Sequence, residues 1–191
     1  MMKDKKYIIF DLDGTLVDSF NTVVAACKKV LASCSPDLML SNDFFETYRG
    51  KDMEQMFREL AELGHISTES FREKYDKQYA TDSITGSTVI DSQYEILKEA
   101  KANGIGIIVI TNKKQEIAED VCRQLFGNNT VDIIIGRIDA MPIKPRHVII
   151  DRLHELDVIS QIQCLRYYGD SVSDSKTAKL LNVDYINVKN S

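Results

Sequence analysis

Short apolar runs, rich in β-branched residues, recur along the chain: Tyr7–Phe10, Ile105–Ile110, Val131–Ile135, Cys164–Tyr168 and Tyr185–Val188. They lack the apolar–polar alternation of a half-exposed strand, so they predict strands buried on both faces. Helical patterns lie between them. Ile90–Ala102 places Ile90, Tyr94 and Leu97 on one stripe and closes at Asn103-Gly104. Gln115–Phe126 carries Ile117, Val121 and Leu125 and stops at Gly127. Pro145–Leu156 opens on a proline suited to a first helical turn and sets Ile149, Leu153 and Leu156 on one side. Asp174–Leu181 carries Ala178 and Leu181. Strands alternating with helices predict an α/β fold, a parallel sheet with helices on both faces.

One connection breaks the rhythm. Nearly ninety residues separate Leu16 from Gly104, whereas a crossover between parallel strands needs only about a dozen. The excess is helical by pattern. Val23, Cys27, Val30 and Leu31 form one stripe; Met53, Met56, Phe57, Leu60 and Leu63 a second, ending at Gly64; Phe71, Tyr75 and Tyr79 a third. Turn-rich segments at Ser33–Asp37 and Ser83–Ser87 bound them. The expected organisation is a core of residues 1–17 and 86–191 interrupted by a small helical domain of residues 18–85.

Composition narrows the class. A chain of 191 residues suits one domain with an inserted subdomain. A net charge of −5 argues against a nucleic-acid surface. The four cysteines, Cys27, Cys34, Cys122 and Cys164, are scattered and form no Cys-x-x-Cys, which fits a reduced, cytoplasmic setting. The charged opening Met1–Lys6 is followed by only four strand-like apolar residues, too few for a secretory segment. No run approaches a membrane span. His65, His147 and His154 form no cluster with ligand spacing.

Polar residues sit where the predicted strands end. Asp11 and Asp13 follow the first run, Thr111-Asn112 the second, Lys144-Pro145 comes after the third, and Gly169-Asp170 with Asp174 follows the fourth. Open parallel sheets bind ligands at the carboxyl ends of their strands, so these residues are expected to converge. Several carboxylates in one cleft raise one another's pKa unless cations accompany them. Lys144 is one such cation, and an all-oxygen donor set points to Mg²⁺ as another. Asp11 fits a nucleophile that attacks phosphorus. Asp13, two residues on, fits the acid that protonates a leaving oxygen and the base that activates water. Thr111 offers a hydroxyl to a phosphoryl oxygen and Lys144 a point charge to nucleophile and phosphate. Asp170 offers a metal ligand, and Asp174 a second or a water-mediated one. Each segment alone has a plainer reading: an Asx turn at Asp11 and Asp13, a helix N-cap at Thr111-Asn112, a helix start at Lys144-Pro145, a cap at Asp174.

Taken together, Asp11-Leu12-Asp13-Gly14-Thr15-Leu16, Thr111-Asn112, Lys144-Pro145 and Gly169-Asp170-Ser171-Val172-Ser173-Asp174 resemble the motifs of the haloacid dehalogenase-like hydrolases. The set looks most like the subgroup with a helical cap, which includes phosphoglycolate phosphatase and β-phosphoglucomutase. The resemblance implies a Rossmann-like core, an inserted cap and Mg²⁺. It implies Asp11 as nucleophile and metal ligand, Asp13 as acid and base that also binds metal through its carbonyl, Asp170 completing the ligands, and Asp174 beside it. It also places a specificity loop at Arg49-Gly50-Lys51, whose two cations, with Thr111, Asn112 and Lys144, would meet an anionic substrate. His147, Thr88-Val89-Ile90 and Leu181-Asn182 depart from residues common in relatives. The implied function is a Mg²⁺-dependent phosphatase of a small phosphorylated metabolite, working through an aspartyl phosphate. A phosphomutase or a non-catalytic binding module on the same scaffold are the alternatives. Dehalogenation needs neither Asp13 nor Asp170.

Overall fold

The computed structural model describes residues 6–49, 51, 53–82, 86–139, 141–158 and 166–190. The predicted strand residues Cys164 and Leu165, the turn residues 83–85 and Gly50 of the predicted specificity loop lie outside the described residues. The chain divides into two compact units, Met1–Asp18 with Thr88–Ser191, and Ser19–Ser87. In chain order the elements are β1 (Tyr7–Phe10), β2 (Val17–Asp18), α1 (Phe20–Cys34), α2 (Asn42–Glu46), α3 (Met53–Leu63), α4 (Thr68–Asp82) and β3 (Thr88–Val89). There follow α5 (Asp91–Ala102), β4 (Gly106–Lys114), α6 (Gln115–Phe126), β5 (Ile133–Arg137), α7 (Val148–Glu155), β6 (Arg166–Gly169), α8 (Val172–Leu181) and β7 (Asp184–Asn187).

The first unit is a five-stranded sheet in the order β5-β4-β1-β6-β7, parallel throughout. Its fold is α/β, with helices on both sides. Ile9, Ile108, Ile110, Ile135 and Tyr167 pack with Ile149 and Leu153 of α7 and Ala178 and Leu181 of α8. Successive strand residues face opposite ways, so Ile107 and Val109 belong to the other face, and α5 and α6 pack against β4. Both faces are dry, which is why the strands read as unbroken apolar runs. β1 lies at the centre, with Phe10 in register with Val109 on one side and Tyr168 on the other. Whatever follows Phe10 is thereby placed at the middle of the sheet's carboxyl edge.

Three local features depart from the pattern. β4 runs on to Lys114, and its register with β5 shifts between Ile110 and Lys114. Gly136 permits that irregularity, because a Cβ there would sit 2.8 Å from the Lys113 carbonyl oxygen. The Gln115 side chain locks it, donating to Ile134 O and accepting from the Gly136 N–H. Secondly, α7 starts at Val148 rather than Pro145. The Arg146 N–H returns to Ile143 O at 2.8 Å, so a turn precedes the helix. Thirdly, β2 and β3 form a two-stranded antiparallel sheet, Val17 with Val89 and Asp18 with Thr88. Two-residue strands carry no periodicity to read.

The second unit is helical. α3 buries Met56, Phe57, Leu60 and Ala61, while Leu63, predicted on the same stripe, is substantially exposed. Phe71, Tyr75 and Tyr79 of α4 are buried, and Phe57 packs its ring 4.7 Å from that of Tyr75. Arg72 is buried with its guanidinium on Glu54 and over the Phe57 ring. Among the described residues no helix is long and apolar enough to cross a membrane.

Candidate active site

The Asp11 N–H donates to Tyr168 O at 2.9 Å, so the residue still follows the sheet. Its carboxylate is nearly buried and accepts the Leu12 N–H at 2.6 Å. The chain then turns sharply. Leu12 O accepts from Leu16 N at 3.0 Å and from Val17 N at 2.9 Å. Gly14 makes the turn possible in two ways. Its φ of +78° is left-handed, and an added Cβ would lie 2.5 Å from Asp170 Oδ2. A glycine at this position lets the turn after β1 and the carboxylate after β6 share one small space.

Lys144 reaches into that space from the turn before α7. Its Nζ lies 2.8 Å from Asp11 Oδ1 and 2.6 Å from Asp174 Oδ1. Its backbone N–H is fixed by Asn112 Oδ1 at 2.9 Å. Asp174 is fully buried and has a second job in a capping box with Ser171. Its Oδ2 accepts from the Ser171 hydroxyl at 2.5 Å and the Ser171 N–H at 3.1 Å. Its Oδ1 also accepts from the Tyr167 hydroxyl at 3.1 Å. The capping reading of Asp174 and its place beside Lys144 are therefore both realised by one side chain. Gly169 admits it, since a Cβ there would sit 2.5 Å from Asp174 Cβ. Asp170 accepts a longer contact, 3.2 Å, from Lys189 of the C-terminal segment.

The electrostatics follow from this packing. Burial, then the Asp174 charge, push Asp11 well above the usual carboxylate range, against the pull of Lys144. Burial also opposes charge on Asp174, but Lys144 and the Ser171 hydrogen bonds outweigh it and hold that carboxyl low. Burial works against the Lys144 ammonium, and Asp11 and Asp174 more than compensate, so its pKa rises. Burial raises Asp170, with Lys189 pulling it down. The Tyr167 phenol, buried beside Asp174, is pushed well above its ordinary value and stays a donor. Negative charge is in excess, and Asp11 bears the consequence. Asp11, Asp170 and Asp174 each offer a carboxylate oxygen, and these lie within 4.8 Å of one another. An all-oxygen, over-acidic set of this kind fits a hard divalent cation such as Mg²⁺. Asp11 and Asp170 are the better donors, because both oxygens of Asp174 are engaged.

The remaining predicted residues fall in different places. Thr111 is buried one position beyond Ile110 on β4, beside the end of β1, and its hydroxyl oxygen accepts the Lys113 N–H at 3.2 Å. Asn112 spends its side-chain oxygen on Lys144 rather than presenting it outward. Asp13 pairs with Lys113 at 3.0 Å. Arg49 and Lys51 belong to the helical unit, where Arg49 makes a two-point contact with Glu46 and lies over the Phe20 ring. Four contributors escaped the sequence reading: Lys113, Tyr167, Ser171 and Lys189. Ser171 had a readable signal, the Ser-x-x-Asp spacing of a capping box. A buried lysine within a strand has none.

Known proteins can be set beside this geometry. The profile of the haloacid dehalogenase-like hydrolases matches residues 8–188. The chain belongs to that family. A phosphoglycolate phosphatase of Vibrio parahaemolyticus is 30% identical over 188 residues, covering 93% of this chain and 80% of that one. One from Colwellia psychrerythraea is 25% identical over 194 residues, covering 97% and 84%. Among solved structures, a haloacid dehalogenase-like hydrolase from Bacteroides fragilis superposes with a TM-score of 0.77 at 25% identity, covering 96% of this chain and 87% of that one. A haloacid dehalogenase-like hydrolase is an enzyme, and in this one Asp11, Lys144, Asp170 and Asp174 are drawn together.

Proposed function

We propose that this hydrolase is a Mg²⁺-dependent phosphatase of small phosphorylated metabolites, acting through a phosphorylated Asp11. The observation that carries the reading is Lys144 bridging Asp11 and Asp174, 2.8 Å and 2.6 Å away. It holds the raised Asp11 carboxylate beside a permanent cation. The Asp11 oxygen attacks phosphorus, the P–O bond to the leaving group breaks, and Asp13 delivers a proton to the departing oxygen. In the second half Asp13 takes a proton from water as that water attacks the same phosphorus, releasing phosphate and restoring Asp11. Lys144 and Thr111 balance charge on the phosphoryl oxygens throughout. Mg²⁺ held by Asp11 and Asp170, with Asp174 alongside and the Asp13 carbonyl as a further donor, would add charge neutralisation there. Substrate choice is assigned in this reading to the helical unit as a cap, with Arg49 and Lys51 as its cations. The names of the relatives make 2-phosphoglycolate the first compound to try.

The test is phosphate release from a panel of phosphorylated metabolites, 2-phosphoglycolate included, with Mg²⁺ or with a chelator. Wild type is expected to turn over only with metal, and Asp11→Asn is expected to lose at least about 10³-fold in rate. Undiminished turnover by the Asp11→Asn protein would reject Asp11 as nucleophile. Isomerised sugar phosphate without free phosphate would identify a mutase instead.

A further inference from the structure

The pair between Asp13 and Lys113 is not needed by the chemistry as just described, yet the fold goes to some length to make it. Lys113 lies two residues beyond Thr111, in the part of β4 where register with β5 is broken. Its ammonium is 3.0 Å from Asp13 Oδ1, and its side chain is only 5% exposed against 32% for Asp13. Lysine is seldom buried so deeply in a strand. Its backbone N–H meets the Thr111 hydroxyl oxygen at 3.2 Å. An accepted hydrogen bond there leaves the threonine proton as the hydroxyl's donating end. One residue thus touches two groups of the reaction, Thr111 through its main chain and Asp13 through its side chain. The glycine at position 136 is what lets the Lys113 carbonyl approach β5 closely enough for this local geometry.

We infer that Lys113 is a positioning residue for proton transfer: its ammonium holds the Asp13 carboxyl in the rotamer that meets the leaving oxygen. The inference rests on the reading of Asp13 as acid and base. A carboxyl on a one-carbon stem, about one-third exposed, has several rotamers open to it. An ammonium donating to Oδ1 selects one and leaves Oδ2 to carry the proton. Misplacement of a proton donor by about 1 Å costs on the order of 10²-fold in rate. The loss should depend on how much the leaving group needs a proton. Phenyl phosphate departs as a basic oxyanion and needs the acid. 2,4-Dinitrophenyl phosphate departs as a stable anion and does not.

The experiment compares kcat/KM for these two esters in wild type, Asp13→Asn, Lys113→Met and Lys113→Arg, all with Mg²⁺. kcat/KM reports the half-reaction in which the leaving group departs. Methionine keeps the buried apolar stem, and Asp13 is exposed enough to be solvated where the ammonium stood, so Lys113→Met should fold. Its melting temperature and Mg²⁺ titration verify this. Asp13→Asn should lose phenyl phosphate turnover about 10²-fold or more while retaining most of the dinitrophenyl activity. Lys113→Met should show the same selectivity at about 10- to 30-fold, and Lys113→Arg, which keeps the charge, should regain most of it. Equal losses on both esters for Lys113→Met, or no loss on either, would overturn the positioning role while leaving Asp13 as acid intact. An Asp13→Asn protein with no leaving-group selectivity would overturn the underlying reading of Asp13 itself, and Lys113 with it.

Discussion

Among the buried basic side chains, Lys144 of the sheet unit and Arg72 of the helical unit are held very differently. Lys144 in the sheet unit has a side chain 3% exposed, and its carboxylate partners Asp11 and Asp174 are 7% and 0% exposed. Arg72 in the helical unit is 5% exposed, but Glu54, its partner, is 27% exposed. The cations are equally dry; the anions are not. What a buried ion pair is worth is set by the group left behind when one member goes. Glu54 can return to water. Asp11 and Asp174 cannot. The helical unit uses its pair as part of a packed aromatic core, with Arg72 over Phe57. The sheet unit concentrates charge that only cations can relieve, at a cost in stability expected of a site made for chemistry.

The sharpest way to break this contrast is Lys144→Met. It leaves two buried carboxylates facing each other without a counter-charge. In metal-free protein we expect a loss of about 3–5 kcal/mol, read as a large fall in melting temperature. Mg²⁺ should recover part of it by binding the folded state alone. A Lys144→Met protein that melts with wild type in the presence of chelator would mean the carboxylates are already neutral, and the account of the site would fail.

How far these features were legible in the sequence also differs between the two kinds of burial. The parallel sheet followed from unbroken apolar runs, because strands covered on both faces have nothing polar to show. The site motifs were legible because four polar segments, each ordinary alone, all fall where strands of a parallel sheet end, the edge at which such sheets bind ligands. α6 begins and ends where its periodicity said it would. What could not be read was how polar groups satisfy one another. The Asn112 oxygen goes to the Lys144 N–H across thirty-two positions of sequence, and Tyr167 looks like any other apolar strand residue until its hydroxyl is seen on Asp174. Lys113 falls in the same category, since a lysine on a strand ordinarily predicts an exposed edge. The late start of α7 has a related cause, a turn held by a long-range contact to Lys144 that no local propensity records. Periodicity reports which face is dry. It does not report which donors meet which acceptors there.

A second test sharpens the contrast by removing charge instead of a counter-ion. In metal-free protein Asp11→Asn should stabilise, by about 1 kcal/mol, while abolishing turnover. The pH dependence fixes the sign. Burial and Asp174 raise the folded-state pKa of Asp11, so the folded chain binds that proton more tightly than the unfolded chain. The resulting stability is fully present below the unfolded carboxylate pKa, about 3.9, and is lost as pH rises through the raised folded value. Asparagine has no such dependence. The melting temperature of Asp11→Asn should therefore exceed that of wild type by more at pH 7 than at pH 4. A difference that shrinks as pH rises would show that Asp11 is not the carboxyl carrying the excess charge. Asp174, held low by Lys144 and Ser171, contributes in the opposite sense.

The smallest effect should come from Arg72→Met, the counterpart of the lysine substitution in the other unit. Methionine fills much of the space of the arginine stem and keeps an apolar contact on the Phe57 ring, which the guanidinium now covers at 4.8 Å. Glu54 loses a counter-ion but already meets solvent over about a quarter of its side chain, so it regains hydration rather than standing as a stranded charge. The net change should stay within about 1 kcal/mol, several-fold below Lys144→Met, and should be indifferent to Mg²⁺. Paired melts of the two variants with chelator and with Mg²⁺ read both comparisons at once. If Arg72→Met costs as much as Lys144→Met, then exposure of the abandoned carboxylate is not the variable that decides what a buried cation is worth in this chain.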